Sequence, residues 1–429
     1  MFCNQCEQTA NGTGCNTYGA CGKDPDVQSL QEILLYGLKG MAAYAHHARR
    51  LGKTDEAVNA FIEDALFATV TNVNFDIPSL LEMVLDCGKH NLRVMELLDQ
   101  GHVERYGQPA PKEVFMGTKA QPGILITGHD MLDLENLLKQ VEGTDVLVYT
   151  HGEMLPAFMY PKLAAHPNLA GHFGGAWQLQ KDEFEAFGGA ILATTNCVLH
   201  PKPSYADRFF TLRVTAVPGA KRLTTDDFSE VIARAKALGA LPARDHGKTV
   251  TGFHHSVILG AAPAILDAVG KGQISRFFVI GGCDGAKVGR NYYTDYAKNA
   301  PADSFILTLG CGKYRIMGHD YGTLLGLPRL LDMGQCNNAY GAIQVAAGLA
   351  KAVGCGVNDL PLTIVLSWFE QKAVVVLLSL LYLGVKNIAV GPTPPAFITP
   401  NVFKVLQDTY GLKLIGTDGK ADVEAVFAK

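Results

Sequence analysis

The sequence predicts a multidomain α/β protein: a cysteine-rich N-terminal segment with a helical bundle, followed by two α/β regions built on parallel sheets. Three observations carry this. At 429 residues the chain is too long for one hydrophobic core and suggests two to four domains of roughly 100 to 200 residues each. Between Gln28 and Leu98 apolar residues recur at helical spacing. From Gly123 onward short apolar runs alternate with amphipathic stretches such as Met131 to Val141 and Phe228 to Leu238, the alternation of a parallel α/β sheet.

Residues 1–116 form the first unit. Leu30, Ile33, Leu34, Leu38 and Met41, then Phe61, Ala65 and Leu66, then Leu80, Leu81, Val84 and Leu85 mark three helices, enough for a small bundle. The stretch Gly101 to Pro122 carries Gly107, Pro109, Pro111, Gly117 and Pro122 without periodicity and reads as a connector. The first α/β region spans 117–246. The polar segment Ala243 to Lys248 separates it from the second, 247–429, with strands expected at Phe277–Ile280, Phe305–Leu307, Ile388–Val390 and Lys413–Ile415. The longest apolar stretch, Ala373 to Val385, follows Glu370 and Lys372. It is shorter than the roughly 20 residues that span a bilayer, so a buried helix is expected there.

Apolar residues make up 48% of the chain, charged residues 18%, and the formal net charge is −4. That is the composition of a soluble globular protein without the basic field that nucleic-acid binding uses. The chain begins Met1-Phe2-Cys3, leaving no room for a signal peptide before the first cysteine, so a cytoplasmic protein with no membrane partner is expected. In that compartment the ten cysteines are read as metal ligands or free thiols rather than disulfides.

Cys3, Cys6, Cys15 and Cys21 form C-x2-C-x8-C-x5-C. Four thiolates on a short, Gly-containing, irregular segment can wrap one iron–sulfur cluster. A structural zinc knob is the alternative, but zinc knuckles usually pair two short C-x2-4-C units and only one is present here. Disulfides are the remaining reading.

A second set recurs after strand-like runs: Ile124–Ile126 then His129, Val146–Val148 then Glu153, Ile191–Ala193 then Cys197, Phe277–Ile280 then Cys283, Phe305–Leu307 then Cys311, and Leu330–Leu331 then Cys336. In open α/β sheets ligands sit beyond the carboxyl ends of strands, so residues placed there converge on one site. Singly, each cysteine could be a buried space-filler. Three of the four stand beside or near glycine (Gly281-Gly282-Cys283, Gly310-Cys311, Gly334-Gln335-Cys336), which lets backbone amides approach a cluster's sulfides. Thiolates with an imidazole and a carboxylate fit a cluster carrying both sulfide-rich and oxygen-bearing iron. His151 rivals His129 but stands nearer its strand and reads as a locally satisfied histidine. His254 and His255 read as surface or supporting residues, and Cys87 and Cys355 as structural. Glu370 and Lys372 open the most apolar helix, where unpaired charges are costly unless bound to something; a plain helix-start Glu is the alternative.

With these residues assembled, the chain resembles the hybrid cluster proteins, also called prismane proteins or hydroxylamine reductases. The matching segments are Met1-Phe2-Cys3-Asn4-Gln5-Cys6, Thr127-Gly128-His129-Asp130, Thr150-His151-Gly152-Glu153-Met154-Leu155-Pro156 and Thr194-Thr195-Asn196-Cys197. They continue through Gly282-Cys283-Asp284-Gly285, Gly310-Cys311-Gly312-Lys313-Tyr314-Arg315, Gly334-Gln335-Cys336-Asn337 and Trp368-Phe369-Glu370-Gln371-Lys372-Ala373-Val374. The resemblance implies a [4Fe-4S] cluster on Cys3, Cys6, Cys15 and Cys21. It implies a hybrid [4Fe-2O-2S]-type cluster on His129, Glu153, Cys197, Cys283, Cys311, Cys336 and Glu370, with the family's persulfide position on Cys283 and its cluster-edge lysine on Lys372. It further implies two Rossmann-like domains after the helical one, similar to nickel–iron carbon monoxide dehydrogenases. Longer members carry two helical bundles, whereas 107 residues lie between Cys21 and His129 here, room for one. A second subunit covering the surface so exposed, in a homodimer, is the corresponding expectation.

The implied activity is reduction of hydroxylamine to ammonia and water, with Glu153, Glu370 and Lys372 as proton-delivering catalytic candidates. Rivals are reduction of nitric oxide to nitrous oxide, a nitrosative-stress sensor or nitrosylating protein, and, more remotely, a carbon monoxide dehydrogenase. No G-x-G-x-x-G fingerprint follows a predicted strand, so electrons are expected from a separate ferredoxin-like or flavoprotein donor.

Overall fold

Three helices follow the cysteine-rich segment, each started by an aspartate whose carboxylate accepts a backbone N–H of the first turn: α1 (Pro25–Arg50, Asp24), α2 (Glu56–Ala68, Asp55) and α3 (Ile77–Tyr106, Asp76). The computed structural model describes residues 1–368 and 370–428. α3 continues past Leu98 into the segment read as a connector and ends at Gly107, whose φ of 92° suits glycine. The helix Gln371–Tyr382 packs against α1 and α3 as the bundle's fourth member. It buries Val374, Val375, Leu377, Leu378, Leu380 and Leu381 in one apolar core shared with Leu34, Met41, Val84 and Met95. Each such side chain contributes roughly 1.5–3 kcal/mol when removed from water.

Glycines set how closely these helices approach. A Cβ on Gly40 would lie 2.4 Å from the Gln371 carbonyl oxygen, and one on Gly88 only 2.2 Å from that of Leu378. Across the same seam Ser379 Oγ donates to the Gly88 carbonyl at 2.9 Å and accepts Asn91 Nδ2 at 3.0 Å. No described helix is long and apolar enough to cross a membrane.

The first sheet contains β1 (Lys112–Thr118), β2 (Gly123–Thr127), β3 (Leu147–His151), β4 (Leu169–His172), β5 (Ala190–Ala193), β6 (Phe209–Leu212), β7 (Lys221–Leu223) and β8 (Arg244–Thr251). Their spatial order is β7-β6-β5-β2-β3-β4-β1-β8, parallel except for the antiparallel pair β1 and β8. All five residues of β2 and of β3 are buried, as expected where helices cover both faces. The chain reverses direction across the sheet at β2, between β3 and β5, which opens a crevice at the carboxyl ends.

A small hairpin joins β11 (Thr323–Leu324) to β12 (Leu327–Pro328), and the second sheet holds β9 (Arg276–Gly282), β10 (Ser304–Thr308), β13 (Leu330–Asp332), β14 (Leu362–Ser367), β15 (Ala389–Gly391) and β16 (Lys413–Leu414). Its order is β13-β10-β9-β14-β15-β16, all parallel, with the reversal at β9. β14 was not expected, because its apolar run leads straight into the apolar helix.

Positions 116/117 and 246/247, read as domain boundaries, fall inside β1 and β8, which pair with each other. The sequence hides both strands. β1 sits among Pro109, Pro111 and Gly117, and β8 is polar and largely exposed, as edge strands often are. Gly117 marks a register shift where a Cβ would meet the Arg244 carbonyl oxygen at 2.1 Å.

Gly88→Ala is expected to lower stability by about 2 kcal/mol or more, because the new methyl meets backbone that cannot yield. Gly260→Ala, which meets nothing within 4 Å, is expected to shift the thermal midpoint little. Equal midpoints for both variants would contradict the packing described.

Candidate metal centre

Seven parallel strands deliver seven donors. β2, β3 and β5 of the first sheet are followed by His129, Glu153 and Cys197; β9, β10, β13 and β14 of the second by Cys283, Cys311, Cys336 and Glu370. The carboxyl ends of the two sheets face each other across this set. Gln335 crosses the gap, its Nε2 donating to the carbonyls of His129 (2.9 Å) and Glu153 (2.7 Å). The Cys336 N–H donates to Glu153 Oε2 at 2.8 Å, and Tyr314 Oη donates to the Gly152 carbonyl at 2.7 Å. Gln178 and Trp177 bind Asp284 from the opposite sheet.

The donors are aimed inward. Thr195 Oγ1 donates to the Asn196 carbonyl and accepts from both the N–H and Nδ1 of His129, at 2.8 and 3.1 Å. That places the His129 proton on Nδ1 and leaves the Nε2 lone pair facing the centre. Nε2 lies 4.0 Å from Glu153 Oε2, and His129, Glu153 and Cys336 offer ligand atoms within 4.8 Å of one another. Glu370 Oε1 lies 3.8 Å from Cys283 Sγ. Lys372 Nζ lies 2.8 Å from His129 Nε2, 3.2 Å from Asn196 Oδ1 and 3.9 Å from Glu370 Oε1. Asn196 Nδ2 donates to Glu370 Oε2 at 3.1 Å, so one amide positions both charged groups.

Electrostatics test whether these residues suit a metal cluster. Burial, reinforced by Glu370 and neighbouring thiols, pushes the Cys197 thiol up to about 12 and Cys283 well up. Burial with Glu153 and the other cysteines raises Cys311, and burial raises Cys336 to about 12 against the pull of Lys372. Burial also raises Glu153, whose Oε1 is buried with no hydrogen-bond partner. Burial opposes charge on Lys372, but Cys336, Glu370, Cys197 and Cys283 outweigh it and hold the ammonium. Four thiols and the Glu153 carboxyl therefore meet where burial opposes their ionisation and multivalent cations would favour it. The donor set fits a cluster of mixed sulfur and oxygen character.

At the N-terminus Cys3 and Cys15 pair through backbone hydrogen bonds of 3.0 and 2.8 Å. The N–H groups of Ala10 and Ala20 point at Cys15 Sγ from 3.5 and 3.4 Å and lower its pKa. Amides directed at sulfur suit a thiolate bound to iron. All ten cysteines are free thiols.

Other sequence candidates fall elsewhere. His151 is buried and engaged at both nitrogens, by Thr127 Oγ1 at 3.0 Å and Glu183 at 2.9 Å. Of the two readings of His254, surface or supporting, burial rules out the first: the side chain binds Asp99 of α3 at 3.0 Å and Ser256 Oγ at 2.8 Å. Cys87 lies inside α3, buried against Gly37, and Cys355 just beyond the helix Ala339–Val353. Phe369 lies outside the described residues. Sequence reasoning assigned no role to Thr195, Asn196, Gln335 or Lys313, although each adjoins a ligand or stands two residues from one. Lys313 is wholly buried on Asp332 (2.7 Å) and the Gly334 carbonyl (2.8 Å). Tyr44 of α1, whose hydroxyl is raised by burial and by Cys336, had no local signal at all.

Soft and hard donors on one point, with a separate all-thiol segment, are the equipment of an iron–sulfur oxidoreductase, the class to which this protein belongs. The chain is a member of the family described as the Prismane/CO dehydrogenase family, whose profile matches residues 1–83 and 76–424. It is 58% identical to a protein named hydroxylamine reductase from Moorella thermoacetica, over 97% of this chain and 98% of that one. A protein of the same name from Rhodospirillum rubrum is 54% identical over 91% of this chain and 71% of its own, so it carries sequence that this chain lacks. The structure of a nickel-free carbon monoxide dehydrogenase from Thermococcus sp. AM4 has a TM-score of 0.78 at 17% identity, covering 99% of this chain and 89% of that one. That likeness is one of fold.

Cys197→Ala is expected to lower the iron and sulfide content of anaerobically prepared protein and to change its EPR spectrum. Unchanged metal content and spectra would remove Cys197 from the centre.

Proposed function

We propose that the protein reduces hydroxylamine to ammonia and water with two electrons and two protons. The observation that carries this reading is the buried meeting of four thiols, one imidazole and two carboxylates with the ammonium of Lys372. His129, Glu153, Cys197, Cys283, Cys311, Cys336 and Glu370 would hold a hybrid [4Fe-2O-2S]-type cluster, with Cys283 as persulfide candidate. Bound there, that cluster would supply the electrons and a Lewis acid for the reduction.

The chain's own groups handle orientation and protons. Lys372, fixed by Asn196, donates a hydrogen bond to the hydroxyl oxygen of the substrate as the N–O bond breaks. Burial raises the Glu153 pKa in the metal-free site, so its proton would leave as the carboxylate takes up its place on the cluster. Glu370 accepts from Asn196 and the Lys372 backbone N–H at 3.1 and 3.3 Å, which keeps it beside Lys372 to pass on the second proton. Cys3, Cys6, Cys15 and Cys21 would hold a [4Fe-4S] cluster as electron inlet, supplied by a ferredoxin-like or flavoprotein donor in the cytoplasm. Exposed Phe2 and Tyr18 offer that donor an apolar foothold.

Purified, loaded and reduced protein is expected to form one ammonia per hydroxylamine consumed. Lys372→Met is expected to slow this by about 10²- to 10⁴-fold, the usual range for a positioned acid, with iron retained. Absence of turnover by the wild-type protein would sink the assignment.

One feature favours a second substrate, nitric oxide, reduced pairwise to nitrous oxide and water by two electrons and two protons. A cavity of about 650 Å³ runs from Cys283 and Cys336 between α3, the second sheet and the helix Ala339–Val353, with Leu92, Leu309, Ile343 and Leu377 in its walls. Its mostly apolar walls favour an apolar gas over hydroxylamine. Ile343→Trp, which narrows the passage, is expected to slow nitric oxide reduction while leaving hydroxylamine reduction unchanged; equal slowing of both would remove this reading.

A further inference from the structure

Beside the four N-terminal cysteines lies a lysine that the catalytic reading does not use. Lys23 is 0% exposed. Its Nζ donates to three neutral amide oxygens, Gln31 Oε1 at 2.6 Å, Gln28 Oε1 at 3.0 Å and Gln5 Oε1 at 3.4 Å. Those amides are held with their oxygens inward: Gln28 Nε2 donates to Glu32 Oε1 at 2.8 Å, and Gln31 Nε2 to the carbonyls of Ala68 and Asn74 at 3.4 and 3.2 Å. Among the described residues no carboxylate forms an ion pair with Lys23. An ammonium withdrawn from water without an anion is among the costliest placements in a protein.

What Lys23 adjoins is the cysteine segment. At Gly19 the stem of Lys23 and the sulfur of Cys21 converge: a Cβ there would stand 3.0 Å from Lys23 Cβ and 3.2 Å from Cys21 Sγ. The same turn closes through the Gly19 N–H, which donates to the Lys23 carbonyl at 2.7 Å. Lys23 also connects the cysteine segment to α1 through Gln28 and Gln31, and to the turn before α3 through Gln31.

Resting on the reading that Cys3, Cys6, Cys15 and Cys21 hold a four-iron cluster, we propose that Lys23 is that cluster's buried counter-charge and holds up its reduction potential. The step is a one-electron transfer: the external electron-carrier protein is oxidised by one, the cluster is reduced by one, and no bond or proton moves. Each added electron makes the cluster more negative, and a fixed cation in a site of low dielectric stabilises that state more than the oxidised one. Lys23 is thus a positioning residue for electron entry, acting through charge and touching no substrate.

The test is a dithionite titration of anaerobically loaded holoprotein, with the N-terminal cluster followed by EPR against potential. Lys23→Met is expected to lower the ratio of reduced to oxidised cluster at the wild-type midpoint about tenfold, a downward shift of about 59 mV for a one-electron couple. Lys23→Arg is expected to keep most of the wild-type value. Gln31→Glu, which sets a carboxylate against Nζ while leaving Lys23 in place, is expected to shift the midpoint down as well, a result that a purely structural role does not produce. An unchanged midpoint in Lys23→Met or in Gln31→Glu overturns the proposal. If Lys23→Met loses the N-terminal iron, Gln31→Glu decides alone, and loss of the signal from all three variants also overturns it. Wild-type protein without the signal overturns the cluster assignment itself, and with it this role.

Discussion

Six acidic side chains are crowded into a space from which water is excluded, and the rest of the structure is arranged around that repulsion. Burial, the other thiols and the two carboxylates raise the cost of ionising Cys197, Cys283, Cys311 and Cys336, burial does the same for Glu153, and the ammonium of Lys372 stands among them. The four thiols and Glu153 are tolerable in two forms, protonated without metal or ionised around it. The exchange between the two makes metal binding and proton release a single event. Each donor comes from the end of a different strand, so the sheets fix their positions before any metal arrives.

The helix Gln371–Tyr382 ties this chemistry to the helical bundle. Its first turn carries Lys372, preceded by Glu370 as its cap, and its body fills the space between α1 and α3. Gly40 lies against the Gln371 backbone, so bundle packing sets the position of Lys372. A loosened seam would move the ammonium away from His129 and Asn196, although no residue of that seam is a donor. The bundle is therefore part of the site's scaffold, and the same core that stabilises the N-terminal region orients the charged groups at the carboxyl end of β14.

Much of this was legible in the sequence, and the reasons differ by element. The buried strands β2, β3, β9 and β10 announce themselves as short apolar runs, and Leu330–Leu331 of β13 was visible because a cysteine followed it. β14 was hidden by the apolar helix after it, so the residues alone did not show that Glu370, like the other six candidates, follows a strand end. β1 and β8 escaped because their structure comes from pairing with distant partners, β1 with β4 and β8 and the edge strand β8 with β1, and not from local pattern. His254 was left between a surface and a supporting place because nothing local reveals Asp99, a partner 155 positions away. Residues that merely orient, Thr195, Asn196 and Gln335, stand within two positions of a proposed ligand; their roles depend on contacts with residues distant in sequence that no spacing encodes.

The central claim is that seven side chains from two facing sheets hold one metal cluster. A crystal structure of anaerobically prepared protein with anomalous data on both sides of the iron edge tests it most directly. The account predicts one compact iron peak enclosed by His129, Glu153, Cys197, Cys283, Cys311, Cys336 and Glu370, and a second at Cys3, Cys6, Cys15 and Cys21. Iron confined to the N-terminal cysteines of fully loaded, active protein, or dispersed as single ions among the seven, would contradict it.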